Sequence, residues 1–528
     1  MGDPDVQAAR LDVAIIGGGM AGGTLARQLA LRMPDLHVGV FERTDEAPHK
    51  LGESMVELSS NYFVRKLGLS SYLYDRQYPK NGLRFFFDSP SLDQPLAAMS
   101  EIGSEALPFH PAFQIDRATL DADLRAMNAR AGVRVRTGVR VHDVALGEGG
   151  EPHRFTATGR DGAERFEARW LLDASGRTRV VAKLRGLHEP EPGLANASAW
   201  GRFEGVADVD ALGDGAFRER VRHTTRRLST LHFLREGAWV WLIPLRGGVT
   251  SVGIVCEAAR WRPEWRTPEG LLGMLREQRA LAELLADAKA VDTGAYARLA
   301  YRTKRFFSRD RWGCTGESAC FTDPFYSPGA DFIALENDML CDLVERDRAG
   351  ESLDAVGARA DLYDAFMRMR QEAALRLYRG QYGLLGSYEL CKLKWDNDVG
   401  AYYNLWVDAY MRDLHLDEAW LRGQLAQQPF VLRALDNFAA LFAKVEAEVR
   451  RRGAYHARNA GEWNNGRDCL WFMGEVGQPR DEARVLALTE EIFQRVFARA
   501  AALHDEGRAP ASRPPRALAS FLGPKPLL

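Results

Sequence analysis

The chain opens on a short unbroken apolar run, LDVAII, then a cluster of glycines, then TLARQLALRM, in which apolar side chains return every three or four positions. The run predicts a strand covered on both faces and the spacing predicts an amphipathic helix. HVGVF follows as a second strand, which makes the opening a strand-turn-helix-strand unit. Further on, QIDRATLDADLRAMNARAGVRV predicts a helix closed at Gly132 and followed by a strand, and WLLD predicts a strand ending at Asp173. Between about 186 and 300, alternating runs such as WVWLIPL and TSVGIVC are separated by glycine turns, the pattern of a mostly antiparallel sheet inserted into the first unit. From Asp338 onward helical periodicity dominates, and the closing GRAPASRPPRALASFLGPKPLL predicts an extended surface tail.

The glycines supply the first chemistry. Gly17-x-Gly19-x-x-Gly22 lies at the turn, and Glu42 ends the second strand twenty residues after Gly22. Backbone N–H groups freed by glycine can approach a pyrophosphate at a helix N-terminus, and a carboxylate at the tip of the second strand accepts ribose hydroxyls. Strand before, helix after and acid at the right distance together predict a dinucleotide site.

Size and charge narrow the alternatives. At 528 residues the chain exceeds what one core usually supports, so two or three units are expected. Lys plus Arg number 70 against 72 Asp plus Glu, net −2, which gives no electrostatic reason to expect nucleic acid or an anionic membrane as partner. The acidic start MGDPDVQ is unlike a secretory leader, and no apolar stretch is long enough to span a bilayer. The six cysteines show no CxxC pair and the histidines no metal-ligand spacing, so a cytoplasmic protein without a bound metal is expected.

GGGMAGG with Glu42, Arg117, Asp173-Ala-Ser-Gly176, and GESACFTDPFYSPG leading into a helix resemble the FAD-dependent monooxygenases of the aromatic hydroxylase type over roughly the first 350 residues. Two motifs narrow this to the flavin-dependent halogenases: Trp239-Val-Trp241-Leu-Ile243-Pro244 is similar to their WxWxIP signature, and Phe321-x-x-Pro324-x-x-Ser327-x-Gly329 to their second one. Lys80, after Leu-Gly52-Glu53-Ser54, stands where that family carries its active-site lysine. The resemblance implies an α/β architecture. A Rossmann-like FAD-binding domain would cover 1–185, with short inserted strands near 81–115, and a β-sheet substrate domain 186–300. The chain would return to the FAD-binding domain over 301–350, and a helical C-terminal domain with an extended tail would cover 351–528.

As cofactor contacts the resemblance implies Gly17, Gly19, Met20, Ala21, Gly22, Glu42, Arg43, Ser54, Arg117, Asp173 and Gly176, with Glu317, Asp323, Pro324, Gly329 and Ala330 on the later loop. As catalytic residues it implies Lys80, Trp239, Trp241 and Ser327. The chemistry implied is oxidation of chloride or bromide by a flavin C4a-hydroperoxide, with FAD delivered reduced by a separate flavin reductase. The hypohalous acid would then be guided to an electron-rich aromatic substrate, free or tethered to a carrier protein, in natural-product biosynthesis.

Three positions depart from the pattern. Pro328 has no N–H where the family holds halide with backbone donors; Glu317 replaces an Asp near the ribityl chain; Tyr326 stands where the tryptophan-halogenating branch has an acid. Two other readings therefore stay open, a halogenase-like FAD monooxygenase that hydroxylates without halide and a non-catalytic flavin-binding component. Taken alone, tryptophans alternating on a strand are core, and Trp395, Tyr402, Tyr403, Trp406 and Trp471 are expected to be core as well, one or two of them also serving a substrate cage. His49 and Lys50 are expected on a loop surface.

Overall fold

The computed structural model describes residues 8–507 and 516–528. The leading MGDPDVQ and residues 508–515 of the tail lie outside the described residues. Two large sheets, two small two-stranded ones and a group of long helices make up the described residues.

The first sheet is built on the predicted opening unit. Ala9–Ile16 lies between Val38–Phe41 and Gly162–Asp173, parallel to both, and Arg134–Arg136 and Trp312–Cys314 add further parallel strands. His153–Gly159 and Arg140–Ala145 continue it antiparallel. Met20–Arg32, Arg117–Arg130 and Gly329–Arg348 are the helices of this unit, and Val13, Ala14, Ile15, Leu25 and Leu29 are fully buried in the shared core.

The second sheet runs in the order Lys289–Tyr296, Asn196–Glu204, Val249–Glu257, Ala238–Pro244, Thr230–Arg235, Leu83–Phe87, Ser100–Ile102, Trp463–Asn464. Its central strands are antiparallel, as the alternating runs predict. The strands expected inside the FAD-binding unit near 81–115 are placed differently. Leu83–Phe87 pairs parallel with Thr230–Arg235 and extends the second sheet, while Tyr78–Lys80 pairs with Ala112–Gln114 as a separate two-stranded ribbon. LRFFF is buried on both faces, which a local pattern cannot assign to one sheet or the other.

The helical region contains Leu353–Arg376, Tyr388–Ala401, Glu418–Arg451 and Glu482–Asp505. Trp463–Asn464 crosses back to pair with Ser100–Ile102. The described end of the tail is not extended on the surface: Leu518–Phe521 is helical, and Phe521 is fully buried against Phe438, Phe493 and Phe497. The apolar FL pair outweighs the flanking prolines once a hydrophobic groove is available. All six cysteines are buried and unpaired. Among the described residues no helix is long and apolar enough to cross a membrane.

Candidate functional site

The glycine turn after Ala9–Ile16 packs on the turn after Asp173. A Cβ on Gly17 would lie 2.3 Å from the Ala174 carbonyl oxygen, and one on Gly22 2.0 Å from that of Gly17. Gly19 caps the Met20–Arg32 helix without a side-chain bond, so the first N–H groups of the helix remain available to an anion. Glu42 is buried and accepts from the Gly18 N–H at 2.8 Å and the Thr44 N–H at 3.1 Å. Burial pushes its carboxyl up, but the Gly18 N–H, Lys50 and Thr44 outweigh that and hold it below the ordinary carboxylate range. An ionised acid beside open helical N–H groups fits the ribose and pyrophosphate of a dinucleotide.

Gly17, Gly19, Glu42 and Thr44 line a cavity of about 1420 Å³ together with Met20, Ala21, Arg43 and Arg117. Arg117 is held by Asp121 at 3.2 Å and by the Leu51 carbonyl at 2.7 Å. Lys50, expected on a loop surface, also lines this cavity, with Asp121 at 3.4 Å, and His49 lines it too. Gly22 and Asp173 are not on the wall. Gly22 lies under the turn, and Asp173 accepts the Ser175 and Val181 N–H groups at 2.9 and 2.7 Å, which shapes the turn that presents Gly176.

The second glycine loop closes the other side. Glu317, Asp323, Pro324, Ser327, Gly329 and Ala330 all reach the cavity. Glu317, expected along the ribityl chain, is partly exposed and paired with Arg177 at 2.8 Å. Asp323 accepts from Asn196 at 2.8 Å, Tyr382 at 2.7 Å and the Phe325 N–H at 3.0 Å, so its side chain fixes the loop. Trp239 and Trp241 alternate along Ala238–Pro244, both nearly fully buried; their indole N–H groups donate to the Tyr382 hydroxyl and to Ser251 at 3.1 and 3.2 Å. Both line the cavity beside Ser54, Thr230 and His232. Burial, with Lys80 nearby, pushes His232 down to about 3, so the ring is neutral.

Lys80 is where the two sides meet. Its amine, 1% exposed, donates to Ser54 Oγ at 2.7 Å and to the Met55 carbonyl at 2.9 Å. Ser327 Oγ donates to the same Ser54 oxygen at 2.9 Å, and Thr230 Oγ1 lies 3.0 Å from it. Ser54 then accepts twice and gives its own proton to Thr230, which satisfies a hydroxyl completely. Ser327 has φ +57°, a region few residues other than glycine occupy. This bend leads into Pro328 and the Gly329–Arg348 helix, whose Asp331 and Phe332 N–H groups bond to the Pro328 carbonyl at 3.0 and 3.1 Å. The N–H groups of Gly329 and Ala330 have no partner among the described residues.

Lys80 itself faces a second cavity, of about 1240 Å³, and Pro328 and Phe332 line both. Burial pushes Lys80 down to about 8, against the pull of Glu57 and Asp331. Asp331 is pushed up to about 7 by burial, although it accepts the Ser59 N–H at 2.9 Å and the Tyr402 hydroxyl at 3.0 Å. Tyr326, Trp395, Tyr402, Tyr403, Trp406 and Trp471 line this second cavity, where the sequence predicts all but the first as core. Tyr402–Val407 is a π-helical turn continuing Tyr388–Ala401, and its extra residue per turn re-aims the aromatic side chains. No periodic pattern announces such a turn. Sequence reasoning also missed Thr230, His232, Asp331 and Arg370. Asp331 carried a signal, an acid in the first turn of an otherwise apolar helix start, and Arg370 a weaker one in its helical spacing from apolar neighbours.

Residues 91–368 match the family model described as tryptophan halogenase. The flavin-dependent halogenase chlA of Dictyostelium discoideum is 27% identical over 439 residues, 77% of this chain and 71% of that protein. The 1H-pyrrole-2-carbonyl-[peptidyl-carrier protein] chlorinase of Pseudomonas fluorescens is 25% identical over 62% of this chain and 73% of its own. Among solved structures, halogenase PltM in complex with phloroglucinol and FAD superimposes with a TM-score of 0.64 at 18% identity, covering 94% of this chain and 98% of that one.

Proposed function

Since the chain belongs to the flavin-dependent halogenase family and is therefore an FAD-dependent oxidoreductase with halide as co-substrate, we propose that it halogenates an electron-rich aromatic ring through Lys80. The observation that carries this reading is the buried amine of Lys80, linked through Ser54 to the bend at Ser327 and facing a separate aromatic-walled cavity. FAD, delivered reduced by a separate flavin reductase, supplies with O2 the oxidising power that turns halide into hypohalous acid.

The residues of this chain do the rest. The unpartnered N–H groups of Gly329 and Ala330, at the positive end of the Gly329–Arg348 helix, are suited to hold halide, and they replace the donor that Pro328 lacks. Trp239 and Trp241 wall the cofactor side against water. Lys80 Nζ–H donates to the oxygen of hypohalous acid and so makes its halogen more electrophilic. Asp331, near its own midpoint at neutral pH, is suited to accept the proton that the ring loses. The aromatic walls around Tyr326, Tyr402 and Trp406 are suited to a flat ring. Halide-independent hydroxylation is the second reading, and the missing Pro328 N–H is what favours it.

With a flavin reductase, NADH, FAD, O2, bromide and either phloroglucinol or its carboxylated relative 3,5-dihydroxybenzoate, the expected product from at least one of the two rings carries bromine. Lys80→Met should keep bound FAD while brominated product falls by about a hundredfold or more. Hydroxylated product formed equally well without bromide would establish the second reading, and undiminished bromination in Lys80→Met would remove the lysine from the chemistry.

A further inference from the structure

We propose that Arg370 is an anion-binding residue of the aromatic-walled cavity and that the ring acted on carries a free carboxylate. The proposal rests on the halogenase reading for the identity of the site as a substrate cavity; the recognition of charge rests on the cavity itself.

Arg370 lies on the Leu353–Arg376 helix, on the face shared with Phe366, Ala373, Ala374 and Leu377, all of which line the cavity with it. The side chain belongs to a residue only 8% exposed, and its guanidinium stacks 3.4 Å from the centre of the Trp406 ring. None of its N–H donors makes a hydrogen bond or ion pair with a described residue, and Nε is both buried and unpartnered.

Every other buried arginine among the described residues holds a carboxylate or a backbone carbonyl. Arg84 and Arg226 share Glu101, Arg202 takes Glu53, and Arg311, which has no acid, donates to the Gly150 carbonyl. Asp331 acts on Arg370 electrostatically, but the two form no ion pair, and Asp331 already accepts Ser59 and Tyr402. Burial accordingly pushes the guanidinium down to about 9, only partly opposed by Asp331 and Tyr402. A guanidinium remains charged at neutral pH, so this buried cation has a ring on one face but none of the acceptors or anions that the other buried arginines hold.

A ligand that completes this arrangement has to be an anion. Trp406 covers one face of the guanidinium, which leaves donors in its plane for a planar acceptor, and carboxylate matches that fork with two parallel bonds. The neighbouring aromatic walls take a ring attached to it. A free carboxylate also excludes a thioester at that carbon, so this substrate arrives unattached to a carrier through its acyl group.

Binding to the FAD-loaded enzyme distinguishes this without turnover. Two matched pairs are titrated by calorimetry, 3,5-dihydroxybenzoate with its methyl ester and 3-hydroxy-2-naphthoate with its methyl ester. In at least one pair the acid is expected to bind about tenfold or more tightly than the ester, the preference to vanish in Arg370→Met, and part of it to return in Arg370→Lys. Unchanged FAD content shows that the variants are folded. Absence of acid preference in both pairs overturns the proposal, as does a preference that survives Arg370→Met. Because no halide, reductant or O2 is present, failure of bromination leaves this result standing, and the reverse holds as well.

Discussion

Lys80 is placed so that its protonation matters at ordinary pH. Its value near 8 lies below the 10.5 of a solvated lysine because burial disfavours the ammonium. The fold therefore carries a cost from this residue below pH 8, which is relieved as pH rises through 8 toward 10.5. For the proposed catalysis the sign is opposite, because the proposal makes the protonated amine the donor. The kcat for bromination is expected to fall as pH rises through about 8. Asp331→Asn removes a charge that raises Lys80, so the falling limb should move to lower pH. A rate that increases through pH 8 would make the neutral amine the active form. Motif spacing singles out Lys80, Ser327 and the two tryptophans independently of packing, and the structure puts Lys80 and Ser327 on the same Ser54 hydroxyl and both tryptophans on the wall of the glycine-loop cavity; their catalytic roles are what is proposed. Arg370 was legible only in retrospect: MRMRQEAALR sets one buried arginine between exposed Arg368 and half-buried Arg376, although Phe366, Ala373, Ala374 and Leu377 place it on the apolar face.

The strand-turn-helix at the N-terminus was fully readable as an element because its glycines answer to steric limits rather than to distant contacts. A methyl group on Gly22 would meet the Gly17 carbonyl at 2.0 Å, Ile15 Cγ2 at 3.0 Å and Ala174 Cβ at 3.1 Å, and the first of these is backbone that cannot swing aside. Gly22→Ala is expected to lose most of its bound FAD and about 1–3 kcal/mol of stability, checked by flavin absorbance of the purified protein and by thermal unfolding. Gly273→Ala, in a helix where nothing lies within 4 Å of the new Cβ, is the control and should retain both. An unaffected flavin content in Gly22→Ala would mean that the turn tolerates movement. The π-helical turn at Tyr402–Val407 was illegible for the opposite reason, since its register depends on what packs around it.

At the scale of the molecule, the division into a mainly parallel sheet, a mainly antiparallel sheet and a helical region follows the sequence pattern, but membership does not. Leu83–Phe87 and Trp463–Asn464 are separated by most of the chain and yet belong to one sheet, because edge pairing is decided by partners that no local window contains. The tail behaves likewise: Phe521 sits between Phe438, Phe493 and Phe497 and ties the described end of the chain to the helical region. Phe521→Ala is expected to cost about 3–5 kcal/mol in chemical denaturation. A change within experimental error would show that the tail contributes nothing to that core.

The buried cysteines acquire a meaning from the proposed chemistry. Thiolates are among the fastest targets of electrophilic halogen, and reaction requires both ionisation and access. Here Cys256 is pushed up to about 12 by burial, and the thiols of Cys314 and Cys469 are driven well above their usual value by the same cause. An oxidant escaping in the proposed chemistry would meet thiols that are not ionised; Cys320 lines the cofactor-side cavity and lies within its reach, so burial, which pushes that thiol up as well, is what would protect it.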